Sequence, residues 1–119
     1  MTDAKKYSGG CHCGKVRYEV TVSIASVISC NCSICSKKGH LLAFTGEDQF
    51  TLLSGQDVLT DYQFHKNVIH HMFCSACGIS SFGKGTAPDG RKMVSINARC
   101  LDDVDVSTLA IKPFDGKSR

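Results

Sequence analysis

KVRYEVTV, residues 15–22, decides the fold. Val16, Tyr18, Val20 and Val22 fall on one face, and Lys15, Arg17, Glu19 and Thr21 on the other. A two-residue period marks a half-buried strand, because successive side chains on extended backbone point to opposite faces. Outward from it the chain repeats the theme in shorter runs. SVISC (26–30), LLAFTG (41–46), FTLLSG (50–55), VLTDYQF (58–64) and NVIHHMF (67–73) read as strands, several closed by Gly or Asp turn signals. ISSFG (79–83) and KMVSINARC (92–100) follow, with KGTAPDG (84–90) as the turn between them. DVDVSTLAI (103–111) is the one stretch with helical character, and no segment carries a long 3.6-residue period. The expectation is a mainly β domain of short antiparallel strands, folded over or split into two small sheets, with residues 1–119 as one unit.

Composition narrows the function classes. The chain is 42% hydrophobic and 21% charged, and no apolar run approaches the roughly 18 residues of a membrane span. The polar start, MTDAKKYSGG, lacks the apolar core of a signal peptide, so the protein is expected in the cytoplasm. A net charge of +3 with no basic tail argues against a nucleic-acid partner and suits small anionic substrates. Nothing in the sequence sets an oligomeric state. Cysteine is the outlier, at eight residues. In a reducing compartment, closely spaced thiols read as metal ligands and not as a disulfide framework.

The cysteines fall into groups. Cys11 and Cys13 lie two apart, and on extended chain both thiols project to one side. Cys74 and Cys77 have Cys-x-x-Cys spacing, where a turn converges the sulfurs and points backbone N–H groups at them. Gly78 suits the left-handed conformation such a turn needs, and Gly14 stands in the same place after Cys13. The two doublets make a complete four-thiol zinc set. Cys30, Cys32 and Cys35 form a triplet that combines both spacings. Three thiolates hold one zinc and leave a position open for chemistry, unless a remote residue closes the site. Cys100 is the first candidate to close it, with His40, His70 and His71 behind. From spacing alone, open and closed sites fit equally.

GGCHCGKVRYEV, CNCSIC with the following SKK, FCSACG, INARCLDD and FDG occur in that order from Gly9 to Gly116. In this the chain resembles the glutathione-dependent formaldehyde-activating enzyme family, also called the Gfa/CENP-V family. The resemblance implies a β-tent fold. It implies a structural zinc on Cys11, Cys13, Cys74 and Cys77. It implies a second, open zinc on Cys30, Cys32 and Cys35, which makes these three the catalytic ligands. The implied activity is that of a carbon–sulfur lyase: glutathione adds reversibly to formaldehyde to give S-hydroxymethylglutathione. The matching motifs bind metal or build the fold, and none reads glutathione itself.

An open three-thiolate zinc would take a further thiolate well and lower that thiol's pKa, or it would polarise an aldehyde oxygen. Basic residues near the triplet can steer an anionic thiol: Lys37, Lys38 and Arg99. The plainer readings are a solvated surface for the two lysines and an ion pair with Asp102 or Asp103 for Arg99. His12, between two ligands, is expected to point away from the metal. His70 and His71 are adjacent, so at most one faces a given side of their strand, and His65 carries no signal. His40 is in reach of the second zinc, and Cys100 reads as a buried small hydrophobe. The rival to an enzyme is a zinc-stabilised binding module for a protein or nucleic acid, which needs no open site. A thiol redox protein is disfavoured by the missing βαβ pattern.

Overall fold

In the computed structural model, residues 4–63, 69–87 and 89–115 are described. The strands are β1 (Lys5–Gly10), β2 (Arg17–Val22), β3 (Ser26–Cys30), β4 (Leu42–Gly46), β5 (Phe50–Ser54), β6 (Leu59–Tyr62), β7 (His70–Cys74), β8 (Phe82–Thr86), β9 (Lys92–Asn97) and β10 (Ala110–Phe114). Among the described residues one short α-helix, α1 (Ser33–Lys38), interrupts them. The strands make two sheets, a three-stranded one in the order β1-β2-β5 and a seven-stranded one in the order β10-β3-β4-β9-β8-β7-β6. The fold is thus mainly β, as the alternating run predicts.

The apolar face of KVRYEVTV is the reason the two sheets meet. Val16, Tyr18, Val20 and Val22 are at most 1% exposed and join Ala43, Phe82, Val94 and Ile96 in one buried cluster. Each such side chain contributes about 1.5–3 kcal/mol by leaving water. Tyr18 stacks between sheets, with ring centroids 5.1 Å from Phe50 and 5.7 Å from Phe82. Its hydroxyl donates to the Ser81 carbonyl at 3.1 Å, so the one polar atom carried inward is satisfied.

Four local expectations are corrected. SICSKK is helical: Gly39 in the left-handed conformation ends α1, and its amide donates to the Cys35 carbonyl. DVDVSTLAI is not a helix. Asp105 caps a single 3-10 turn over Val106–Thr108, and Ala110–Phe114 runs on as a strand. Pro113 sits there on an edge strand, where its missing N–H costs nothing. That strand pairs parallel to β3, from Ala110 opposite Ser26 to Phe114 opposite Cys30, against the antiparallel rule of the rest. The turn in KGTAPDG is shorter than the motif: Lys84–Thr86 belongs to β8, and the Gly90 amide returns to the Ala87 carbonyl. β6 and β7 lie within VLTDYQF and at the end of NVIHHMF. Phe64, His65, Asn67, Val68, Pro88 and Gly116 lie outside the described residues. Among the described residues, no helix is long and apolar enough to cross a membrane.

Candidate metal centres

The first cluster joins two turns that the sheets bring together from distant sequence. Cys11 follows β1, and its amide donates to the Val16 carbonyl while the Val16 amide donates back to Cys11 Sγ at 3.3 Å. Cys74 ends β7, and the Gly78 amide donates to its carbonyl. Gly14 and Gly78 both take positive φ, +83° and +81°, which lets each loop curl around its sulfurs. The donor sulfurs of Cys11, Cys13, Cys74 and Cys77 all lie within 4.8 Å of one another. Cys13 Sγ is 3.5 Å from Cys11 Sγ and 3.7 Å from Cys74 Sγ. A tetrahedral ion with Zn–S bonds of about 2.3 Å needs sulfurs about 3.8 Å apart, so these residues fit zinc.

The thiol energetics say the same. Backbone N–H groups at Cys13 and Ile79 bring the Cys77 thiol down to about 6. The Lys15 amide also favours a Cys13 thiolate, but burial and the three neighbouring thiols together push Cys13 up to about 11. Four sulfurs this close cannot all ionise without a cation between them.

The second cluster is built by the helix. Cys30 is the last residue of β3, Cys32 is the N-cap of α1, and Cys35 lies in its first turn. Ser36 locks the bend, its hydroxyl donating to the Asn31 carbonyl at 2.8 Å. The Asn31 amide donates to the Phe114 carbonyl, which ties the loop to β10. Burial raises the Cys32 thiol, but the Cys35 and Ile34 amides and the neighbouring thiols hold it below its ordinary value. Cys35 goes the other way: burial, then Cys32 and Cys30, push it well up. The three sulfurs lie within 4.8 Å of one another, and the described donor nearest to joining them is His40, whose Nε2 is 3.1 Å from Cys35 Sγ. Three soft thiolates fit a zinc whose fourth position is left to His40 or to an incoming molecule.

A cleft of about 370 Å³ opens between the end of α1 and the loop after Cys77, and none of the triplet cysteines lines it. His40 lines it and reaches back, its Nε2 3.1 Å from Cys35 Sγ. Lys38, the last residue of α1, lines it too, and its Nζ donates to Ser80 Oγ at 2.9 Å. Ser80 Oγ donates in turn to the Met72 carbonyl, and Asn97 Nδ2 to the Ser80 carbonyl. Burial lowers the Lys38 ammonium's pKa, opposed by Cys35. Burial, with Lys38 and His71 nearby, brings His40 down to about 4, so its ring is neutral at pH 7.

A family model described as glutathione-dependent formaldehyde-activating enzyme matches residues 6–114, more than nine-tenths of the chain. The chain belongs to that family. It is also similar to a Rhodobacter sphaeroides protein of known crystal structure, a structural-genomics target, at 27% identity and a TM-score of 0.77. That match covers 88% of this chain and 99% of the other.

Within this member of the family, the residues singled out from sequence part company. All seven grouped cysteines gather into the two expected sets. Cys100 does not approach the triplet. Burial and then Cys11 and Cys77 of the first cluster push its thiol up to about 11. Lys38 lines the cleft, whereas Lys37 and Arg99 are exposed and do not. Asp102 pairs with Arg17 and not with Arg99. His12 is exposed, and His70 Nδ1 pairs with Asp61 at 2.6 Å. Sequence reasoning missed α1 and the Ser80–Asn97 polar wall. Gly39 after Lys37 and Lys38 is a helix-end signal that would have found α1. Asn97 in an apolar strand run is a weaker sign of a local cap, and it accepts from the Arg99 amide.

Proposed function

We propose that the chain is a zinc-dependent carbon–sulfur lyase-type enzyme that joins a small thiol to an aldehyde, with glutathione and formaldehyde as the pair its family name supplies. The observation that carries this reading is the second cluster: three thiols within 4.8 Å of one another, joined through His40 to a cleft with a cation in its wall. The thiol sulfur bonds to the aldehyde carbon, the carbonyl π pair moves to oxygen, and oxygen takes a proton; the reverse step releases both partners. Zinc, when held by Cys30, Cys32 and Cys35, supplies the positive charge that keeps a thiol ionised near neutral pH or polarises a carbonyl.

The chain's own residues do the rest. The helix amides at Ile34 and Cys35 favour thiolate at Cys32. Neutral His40 lines the cleft and presents a ring nitrogen to Cys35. Lys38 would set a charge where an anionic thiol enters, a role supported by its place in the cleft lining, which Lys37 and Arg99 do not share. Cys11, Cys13, Cys74 and Cys77 hold the structural zinc, a closed set that needs no substrate. Eight free thiols suit a reducing cytoplasm.

Cobalt loaded in place of zinc tests this. Titrating glutathione to millimolar concentration should change the cobalt–thiolate absorption of the wild type, and the change should be absent in Cys32→Ser. An unchanged wild-type spectrum contradicts the proposal.

A further inference from the structure

The cleft is far larger than formaldehyde, which is close in size to a water molecule with its share of about 30 Å³ of liquid. Its lining is mixed. Lys38, His40, Ser80 and Asn97 supply polar groups, and His40 connects it to Cys35. Tyr62, Phe73 and Ile79 supply apolar ones. Tyr62 and Ile79 are 51% and 38% exposed, so both offer apolar surface to whatever enters. Pockets of this make-up bind molecules with an apolar body and a few oriented polar groups. Formaldehyde has no such body, and the glutathione peptide is polar along its length.

We propose that the aldehyde taken by this chain carries an aliphatic or aromatic substituent, seated against Tyr62, Phe73 and Ile79 with its carbonyl at Lys38. This rests on the carbon–sulfur reading above and names its carbonyl substrate. One Lys38 N–H goes to Ser80, and an ammonium has three donors, so the carbonyl oxygen can take another. The sulfur–carbon bond forms, the π pair passes to oxygen, and the proton given up by the thiol is replaced on oxygen. Nothing is oxidised or reduced.

The test uses the full zinc-loaded chain with glutathione and, in turn, formaldehyde, propanal and hexanal, each rate corrected for the uncatalysed reaction. A fully buried methylene is worth about fourfold in affinity. Three half-buried ones put kcat/KM for hexanal about tenfold above that for propanal. Ile79→Lys should bring the ratio to about one. Tyr62→Ser, on β6 and away from the loop that carries Ile79, should lower it independently should Ile79→Lys fail to fold. Hexanamide, which does not react with thiols, should shift the nuclear magnetic resonance signals of Phe73 and Ile79. A wild-type ratio near one with formaldehyde still turned over, or hexanamide shifts confined to other residues, overturns the inference and leaves the carbon–sulfur reading standing. No catalysis with any aldehyde overturns both.

Discussion

Tyr18 is fully buried, yet its hydroxyl must be satisfied where the two sheets meet. Burial holds its pKa far above the ordinary value, so it stays a neutral donor to the Ser81 carbonyl at any working pH. Gly9 leaves the room for it: a Cβ there would sit 2.9 Å from the Tyr18 hydroxyl and 2.8 Å from the Cys100 carbonyl. Tyr18→Phe keeps the ring packing and removes only the donor. It should cost about 1–2 kcal/mol, the price of a buried carbonyl left unpaired, read as a lower midpoint in urea with an unchanged slope. At this scale the sequence was informative wherever spacing alone fixes geometry. Cys11 with Cys13, and Cys74 with Cys77, are legible because two or three residues of chain bring their sulfurs together. Cys100 was not, because its place is set by the bridge between Gly9 and Leu101, ninety-two residues apart in sequence.

α1 is the element on which the second cluster depends. It carries Cys35 and Lys38 and is capped by Cys32. Six residues are too few to show a 3.6-residue period, which is why the pattern that reveals longer helices is silent here. Its signature lies in the ends instead: two lysines in the last turn and a glycine beyond. Gly39 has φ +65° and nothing within 4 Å of where a Cβ would stand, so substitution there costs strain alone. Gly39→Ala should lower stability by about 1 kcal/mol and loosen zinc at the triplet in a chelator competition, with zinc on the four-thiol cluster unaffected. Ala110–Phe114 failed to read as a strand for a related reason. Its partner β3 is more than eighty residues earlier, and nothing local announces a parallel pairing. KVRYEVTV was legible because its whole signal lies within eight residues.

At the scale of the molecule, the sheets place the pieces of each site together. Cys13 meets Cys74 across sixty-one residues, and Lys38 meets Ser80 across forty-two. The two clusters ask different things of the chain. The four-thiol set ties the β1–β2 turn to the end of β7 and closes on itself, whereas the triplet caps one helix beside a cleft. The ligand groups were readable from sequence, but the cleft was not, since its walls come from α1 and from β6, β7, the loop after Cys77 and the end of β9. The central claim is that the triplet holds a separate metal that the fold does not need. Zinc per chain, on protein purified without chelator and alongside circular dichroism, tests it most directly in wild type and Cys32→Ser. The account predicts two zincs in the wild type and one in the variant, with the β spectrum retained. One zinc in both proteins, or loss of the β spectrum in Cys32→Ser, would contradict it.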